Sequence, residues 1–160
     1  MKIIVISDTH GDYRRLEKVF LRVPDAEWYI HLGDGEHDLD RFIIEHSEYT
    51  ERVIHVAGNC DTGSLSPATF ELPLPGHRIF ATHGHHYGVR GGLGSLKTAA
   101  ISRGCDIVLY GHTHIRCNKT EDGLYIMNPG SAGAPHDGTK PSFGLIDISS
   151  AGILMNIADI

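Results

Sequence analysis

Within its first 56 residues the chain alternates twice between buried-strand and amphipathic-helix patterns, and few folds accept that rhythm. Ile3-Ile4-Val5-Ile6 is an unbroken β-branched run, the mark of a strand covered on both faces. Gly11 to Arg22 follows, with Leu16, Val19 and Phe20, and Val23 just beyond, at helical spacing. Trp28 to Leu32 reads as a second strand. Asp38 to His46 reads as a second helix, with Leu39, Phe42 and Ile43 on one face. Val53 to Val56 reads as a third strand. Strand, helix, strand, helix, strand predicts a parallel sheet with crossover helices.

The second half predicts something else. Ala68 to Leu72 and His77 to Thr82 read as strands around a Pro73, Pro75, Gly76 turn. Leu93, Leu96, Ala99 and Ala100 mark one helix, and Asp106 to Tyr110 another buried strand. Leu124 to Met127, Phe143 to Ile148 and Ile153 to Ile157 follow, separated by Gly-containing turns. Successive strands without intervening helices predict antiparallel pairing. The expectation is two sheets packed together with helices outside, in a single domain over residues 1–160. Gly130 to Pro141, the longest irregular stretch, is expected to be a loop near a site rather than a boundary.

Each strand of the expected central set ends in the same way, with Asp, Asn or His beside Gly. The five places are Asp8-Thr9-His10-Gly11, Gly33-Asp34, Gly58-Asn59-Cys60-Asp61, Thr82-His83-Gly84-His85 and Gly111-His112-Thr113-His114. Any one of them is common as a turn or helix cap. Five together are a pattern, because ligands in open α/β sheets bind beyond the carboxyl ends of the strands. Asp8 and His10, like His112 and His114, are two residues apart, so on extended backbone each pair would face one way. Asp, Asn and His form an oxygen and nitrogen donor set without thiolate, which suits Mn, Fe, Zn or Ni. Seven donors, Asp8, His10, Asp34, Asn59, His83, His112 and His114, exceed what one tetrahedral ion needs, and a two-metal centre shares them out naturally.

Composition sharpens this reading. A domain of 160 residues needs no structural metal or disulfide to bury a core, so its 12 histidines point to chemistry. Cys60, Cys105 and Cys117 are too scattered for a zinc knuckle or disulfide framework. A net charge of −6 argues against a surface built to hold long nucleic acid. No stretch approaches the roughly 20 apolar residues of a membrane span, and the first apolar run is too short for a signal-peptide core. The expected compartment is the cytoplasm. Apolar residues in Gly63 to Phe70 and in the last strand are the candidate surfaces for a homo-oligomer.

The motif order, with Asn128-Pro129-Gly130-Ser131 behind it, resembles the calcineurin-like metallophosphoesterases, and within them the small prokaryotic phosphodiesterase branch. The likeness runs from Met1 to about Gly133. It implies a four-layer α/β/β/α sandwich of two mixed β-sheets flanked by helices, with two metals between loops at one edge. Carried over by position, Asp8, His10 and His114 would hold one ion, Asn59, His83 and His112 the other, and Asp34 would bridge them. Mn²⁺ is the usual ion of this branch. Hydrolysis of a small phosphodiester by a hydroxide shared between two cations is the implied activity. A phosphomonoesterase or nuclease on the same centre, or a non-catalytic protein-binding module of the same fold, is the alternative.

Two departures matter. Cys60 stands where many members carry the His thought to protonate the leaving group, and a thiol suits that task poorly. Water or a nearby histidine, His85 first, is then the expected donor. Val56-Ala57 precedes Gly58-Asn59 where protein phosphatases and dinucleotide polyphosphate hydrolases show Arg, which disfavours both activities. Asn59, Cys60, Asp61 and His85 are therefore the candidate catalytic set, with Asp61 expected to orient its neighbours. His37, His86 and His136 are expected in solvent, and His31 and His55 as hydrogen-bonded structural residues. Arg90 and Arg116 are candidates for meeting a substrate phosphate, and Asn128 to Ser131 reads as a turn whose N–H groups could do the same.

Overall fold

The computed structural model describes residues 1–160. Strands β1 (Lys2–Ile6), β2 (Trp28–His31) and β3 (Val53–His55) run parallel, connected through helices α1 (Tyr13–Arg22) and α2 (Glu36–Glu45). After β3 come β4 (Thr69–Leu74), β5 (His77–Thr82), α3 (Gly94–Ser102), β6 (Ile107–Leu109), β7 (Arg116–Glu121), β8 (Leu124–Pro129), β9 (Ser142–Ser149) and β10 (Gly152–Asp159). They complete two five-stranded mixed sheets, in the orders β10-β9-β1-β2-β3 and β4-β5-β6-β8-β7.

Strand alternation explains the layering. Ile3 and Val5 face inward and meet Ile30, Ile54, Ile79, Ile107 and Ile146 in a layer drawn from both sheets. Ile4 and Ile6, one residue out of phase, face outward onto Leu16, Val19 and Phe20 of α1 and Leu39 and Phe42 of α2. On the other side Phe80, Val108 and Ile126 cover Leu96 and Ala100 of α3. The run at residues 3–6 is therefore continuous because each of its faces has its own core. The layers are helix, sheet, sheet, helix, as the resemblance implied.

The differences from the sequence reading have local causes. α1 starts at Tyr13, not Gly11, because Asp12 caps it, its side chain accepting from the Arg15 N–H. α2 starts two residues earlier than expected, at Glu36, because the Asp61 carboxylate, from a different loop, takes the N–H groups of Gly35 and Glu36. β4 continues through Pro73, which an edge strand tolerates since one side needs no ladder donor. β7, Arg-Cys-Asn-Lys-Thr-Glu, is a polar edge strand without alternation, and nothing in its pattern announced it. β6 and β8 pair in parallel although no helix separates them; the polar β7 makes the crossover and then pairs with the outer side of β8. No helix is long and apolar enough to cross a membrane.

Candidate metal centre

The carboxyl ends of β1, β2, β3, β5 and β6 meet at one rim and bring the seven candidate donors together. Asp8 Oδ1 lies 3.1 Å from His114 Nε2 and 3.8 Å from His10 Nε2. His10 Nε2 and His114 Nε2 are 3.1 Å apart. On the other side His83 Nε2 is 3.2 Å from both Asn59 Oδ1 and His112 Nδ1. Asp34 Oδ2 stands between the halves, 3.7 Å from His10 Nε2 and 3.5 Å from His83 Nε2. Neighbouring donors each about 2.1 Å from one ion at right angles would be roughly 3 Å apart, so these separations fit two cation sites sharing Asp34.

Two further observations fit a cation. Asp8 Oδ1 is buried with no donor aligned on it, a cost no chain carries without reason. Its other oxygen is fully engaged, by the Ser7 hydroxyl at 2.5 Å and the His112 N–H at 3.1 Å. The buried histidines are also set as ligands are: His83 Nδ1 donates to the Leu32 carbonyl and His114 Nδ1 to the Ala134 carbonyl, each at 2.7 Å. Each bond fixes the tautomer that turns the Nε2 lone pair inward.

The sequence reading placed the paired donors on extended backbone. The structure does not: Asp8, His10, Asp34, His112 and His114 all have φ between 48° and 66°. The chain must reverse sharply beyond each strand tip, and the left-handed region does this in one residue. Asp and His enter it more readily than most side chains, at a cost of order 1–3 kcal/mol each. Five such residues in one rim mark the place where the fold spends stability on geometry.

Electrostatics follow from crowding. Burial raises the pKa of Asp8, but the adjacent His10, His114, Ser7 and His83 outweigh it and hold the carboxyl well below its usual range. Asp34 is held low too, its burial outweighed by His83 and the Cys60 N–H. Asp8 raises the pKa of His10 and His114. For His83, burial opposes the rise that Asp34 and Asp8 impose, whereas His112 is lowered by burial. Asp8, Asp34, His83 and His114 are buried, while His10 and Asn59 are exposed. The cluster thus has a closed floor and an open mouth.

Of the proposed catalytic set, Asp61 lies beneath the site. Its carboxylate accepts the N–H groups of Asp34, Gly35, Glu36 and Gly58. It fastens the β2 loop to the β3 loop and faces no substrate. Cys60 lies at the mouth, its N–H donating to Asp34 Oδ1 at 2.7 Å. Desolvation and then Asp34 push its thiol up to about 11. His85 lies outside the donor cluster, its ring 5.3 Å from that of His83, with Nδ1 buried and unpartnered. Burial and the neighbouring His86 lower its pKa.

Other expectations need correction. Asn128 is a buried strand residue, not part of a turn. Its Nδ2 donates to the Gly111 carbonyl and Thr113 Oγ1, and its Oδ1 accepts the Gly130 N–H. Ser131 Oγ donates to the Asp8 carbonyl and accepts from Gly133 and Ala134. The N–H groups of Gly130, Gly133 and Ala134 are therefore spent on internal anchoring. Arg116 is spent as well, on Ser142, the Lys140 carbonyl and Asp159. His31 and His55 are each hydrogen-bonded on one nitrogen, with Nε2 of both unpartnered. Burial pushes His31 down to about 3. His136 is exposed yet stacks on His114. Asp38 went unnoticed; it is buried and accepts from the Thr9 hydroxyl and the Gly11 N–H, holding the Asp8 loop. Its one sequence signal is its place four residues before Phe42, on the buried face of α2.

The chain is similar in sequence and fold to known phosphoesterases. The sequence profile of the calcineurin-like phosphoesterase superfamily domain matches residues 1–151. The phosphodiesterase YfcE of Escherichia coli K12 is 27% identical, over 92% of this chain and 88% of its own, and its structure superposes with a TM-score of 0.72. The phosphodiesterase MJ0936 of Methanocaldococcus jannaschii is 29% identical over 92% of this chain and 93% of its own. A predicted phosphoesterase from Streptococcus pneumoniae TIGR4 superposes with a TM-score of 0.83 at 27% identity, covering 99% of this chain and 88% of that one.

Proposed function

The chain belongs to the calcineurin-like phosphoesterase superfamily, and from that premise we propose that it is a metal-dependent phosphodiesterase acting on a small phosphodiester. The observation that carries this is the rim of seven donors, spaced for two cations around Asp34 and open to solvent on one side. Asp8, His10 and His114 would hold one ion, Asn59, His83 and His112 the other, with Asp34 serving both. The donor set admits Mn²⁺, Ni²⁺, Zn²⁺ or Fe²⁺ without selecting among them, and Mn²⁺ is the usual ion of the branch that the chain resembles. Bound there, two such ions supply Lewis acidity to a phosphoryl oxygen and lower the pKa of water. Two of the similar proteins are named phosphodiesterases, which supports diester over monoester cleavage.

The chain's own contribution is position. Leu32 and Ala134 carbonyls lock the His83 and His114 rings, and Asp61 ties the loops of Asp34 and Asn59 together. No side-chain nucleophile is needed. The proton for the leaving group has no strong local donor. Burial and Asp34 raise the pKa of the Cys60 thiol, and burial and His86 lower that of His85, so both move away from neutral pH. An efficient general acid titrates near the working pH, so diesters with good leaving groups are the expected substrates.

The test is chelation, then addition of Mn²⁺, Ni²⁺, Mg²⁺ or Zn²⁺, with bis-p-nitrophenyl phosphate and p-nitrophenyl phosphate as substrates. Mn²⁺ is expected to restore cleavage with the diester preferred, and His112→Ala and Asn59→Ala to lose it by about 100-fold. A folded protein that neither binds an ion nor turns over either ester would instead be a scaffold of this fold. Cys60→His is expected to raise the rate on an alkyl diester at least about tenfold while changing the p-nitrophenyl rate little. An unchanged dependence on leaving group would show that the position carries no proton.

A further inference from the structure

Two cavities of different chemistry border the metal centre. One, of about 670 Å³, begins at His10 and is walled by Tyr13, Arg14, Glu17, Arg41 and Glu45. Most of its charge is already paired within the wall. The Tyr13 hydroxyl donates to Glu45 with Glu17 also within reach, Arg41 Nε donates to Glu45 Oε1 at 2.9 Å, and the Arg41 guanidinium covers the Tyr13 ring.

The other cavity, of about 390 Å³, adjoins the loop that carries His112 and His114. Thr113, between those two residues, is part of its wall, and so is His136, whose ring stacks on that of His114 with centroids 4.3 Å apart. Val89, Tyr110 and Ile115 contribute apolar surface to its wall, and Arg90 lines it as well. Ile115 follows ligand candidate His114 directly and is 48% exposed, a large aliphatic side chain presented to solvent beside a polar site. The Arg90 side chain makes a single hydrogen bond, at 3.5 Å, to the His112 carbonyl. Its guanidinium plane is free, and a free guanidinium plane stacks well on flat rings.

We infer that this second cavity is the subsite for the organic substituent of the phosphoester, and that it selects a flat aromatic or heteroaromatic alcohol held between Arg90 and Ile115. The inference rests on the phosphodiesterase reading. It adds what that reading leaves open, the chemical class of the group attached to phosphorus. The volume falls in the range of small-molecule sites. Apolar surface makes up a larger share of this cavity's wall, which favours a ring that leaves water, whereas the cavity beside His10 is predominantly polar.

The test uses the Mn²⁺-loaded protein and two ligands with the same head group, phenylphosphonate and methylphosphonate, measured by calorimetry. Phenylphosphonate is expected to bind about tenfold more tightly, from the apolar area its ring would bury. Ile115→Ala, Arg90→Ala and Arg90→Lys are each expected to bring that ratio below about three, and Ile115→Ala is expected to do so with the methylphosphonate affinity unchanged. Both residues are exposed, so the variants keep the fold. The same variants should lower the preference for bis-p-nitrophenyl phosphate over methyl p-nitrophenyl phosphate in kcat/KM. Methylphosphonate binding without an aryl preference, or an aryl preference that survives all three substitutions, overturns the subsite alone. If neither phosphonate binds, the phosphoesterase reading falls and the subsite with it.

Discussion

Asp8→Asn is expected to lower kcat on a diester substrate by about a thousandfold, or roughly 4 kcal/mol of barrier, while the metal-free protein melts within a few degrees of wild type. The side chain is wholly buried and the substitution keeps its volume. An amide oxygen in place of Oδ2 still accepts from the Ser7 hydroxyl and the His112 N–H. What changes is the inward atom. Oδ1, which faces His114 Nε2 at 3.1 Å and His10 Nε2 at 3.8 Å, becomes an N–H₂ that cannot ligate and carries no charge. A cation held at one hundred times its Kd stabilises a fold by roughly 3 kcal/mol, or about 5–10 °C for a chain of this size. That rise is expected in the wild type on adding Mn²⁺ and less than half of it in the variant. A full rise in melting temperature with full activity would remove Asp8 from the centre, and the first cation site with it.

Much of the architecture was legible because burial writes period into sequence. Ile3 to Ile6 had to be covered on both faces, and the two helical stripes after it could only be crossovers. β7 was illegible for the converse reason: an edge strand of Arg, Asn, Lys, Thr and Glu buries too little to need a pattern. The parallel β6 and β8 pair was hidden with it, since the rule that strands in series pair antiparallel assumes every strand has been seen. The start of α2 depends on Asp61, a cap supplied 25 residues downstream of Glu36, and no local signal encodes that.

The rim was legible as a list of donors and not as a geometry. Motif order named Asp8, His10, Asp34, Asn59, His83, His112 and His114, and the structure sets them about one another. The extended backbone inferred for the pairs was wrong in kind, because a strand tip that must turn back over its own sheet leaves the extended region at once. Residues that hold the donors were harder to read. Asp38, Asn128 and Ser131 act through backbone groups far away in the chain, and such partners leave no spacing to find. Asp61 sat beside the donors in sequence and so joined the candidate catalytic set, although its four N–H bonds make it an anchor.

Gly58→Ala tests that anchoring without removing any donor. A methyl group at Gly58 would lie 2.0 Å from Asp34 Oδ1 and 2.3 Å from the Asp34 backbone nitrogen. Gly33 packs against the same place, its own Cβ position being 2.6 Å from the Gly58 nitrogen. The β2 and β3 loops therefore touch backbone to backbone, and the contact is relieved in one of two ways. Asp34 can swing away, giving up the Cys60 N–H and withdrawing Oδ2 from between His10 and His83. Otherwise the β3 loop lifts, breaking the Gly58 N–H bond to Asp61 and carrying Asn59 Oδ1 away from His83 Nε2. Either movement opens the cluster by more than metal coordination tolerates, because catalytic groups must be held to within about 0.5 Å. The expected result is a loss of kcat/KM of about 100-fold or more and a diminished thermal response to Mn²⁺. Gly94→Ala is the control: its added methyl meets nothing within 4 Å at the first turn of α3, so both readouts should stay at wild-type values. If Gly58→Ala keeps its activity and its metal response, the two loops have slack, and the tight packing around Asp34 is not what positions the ions.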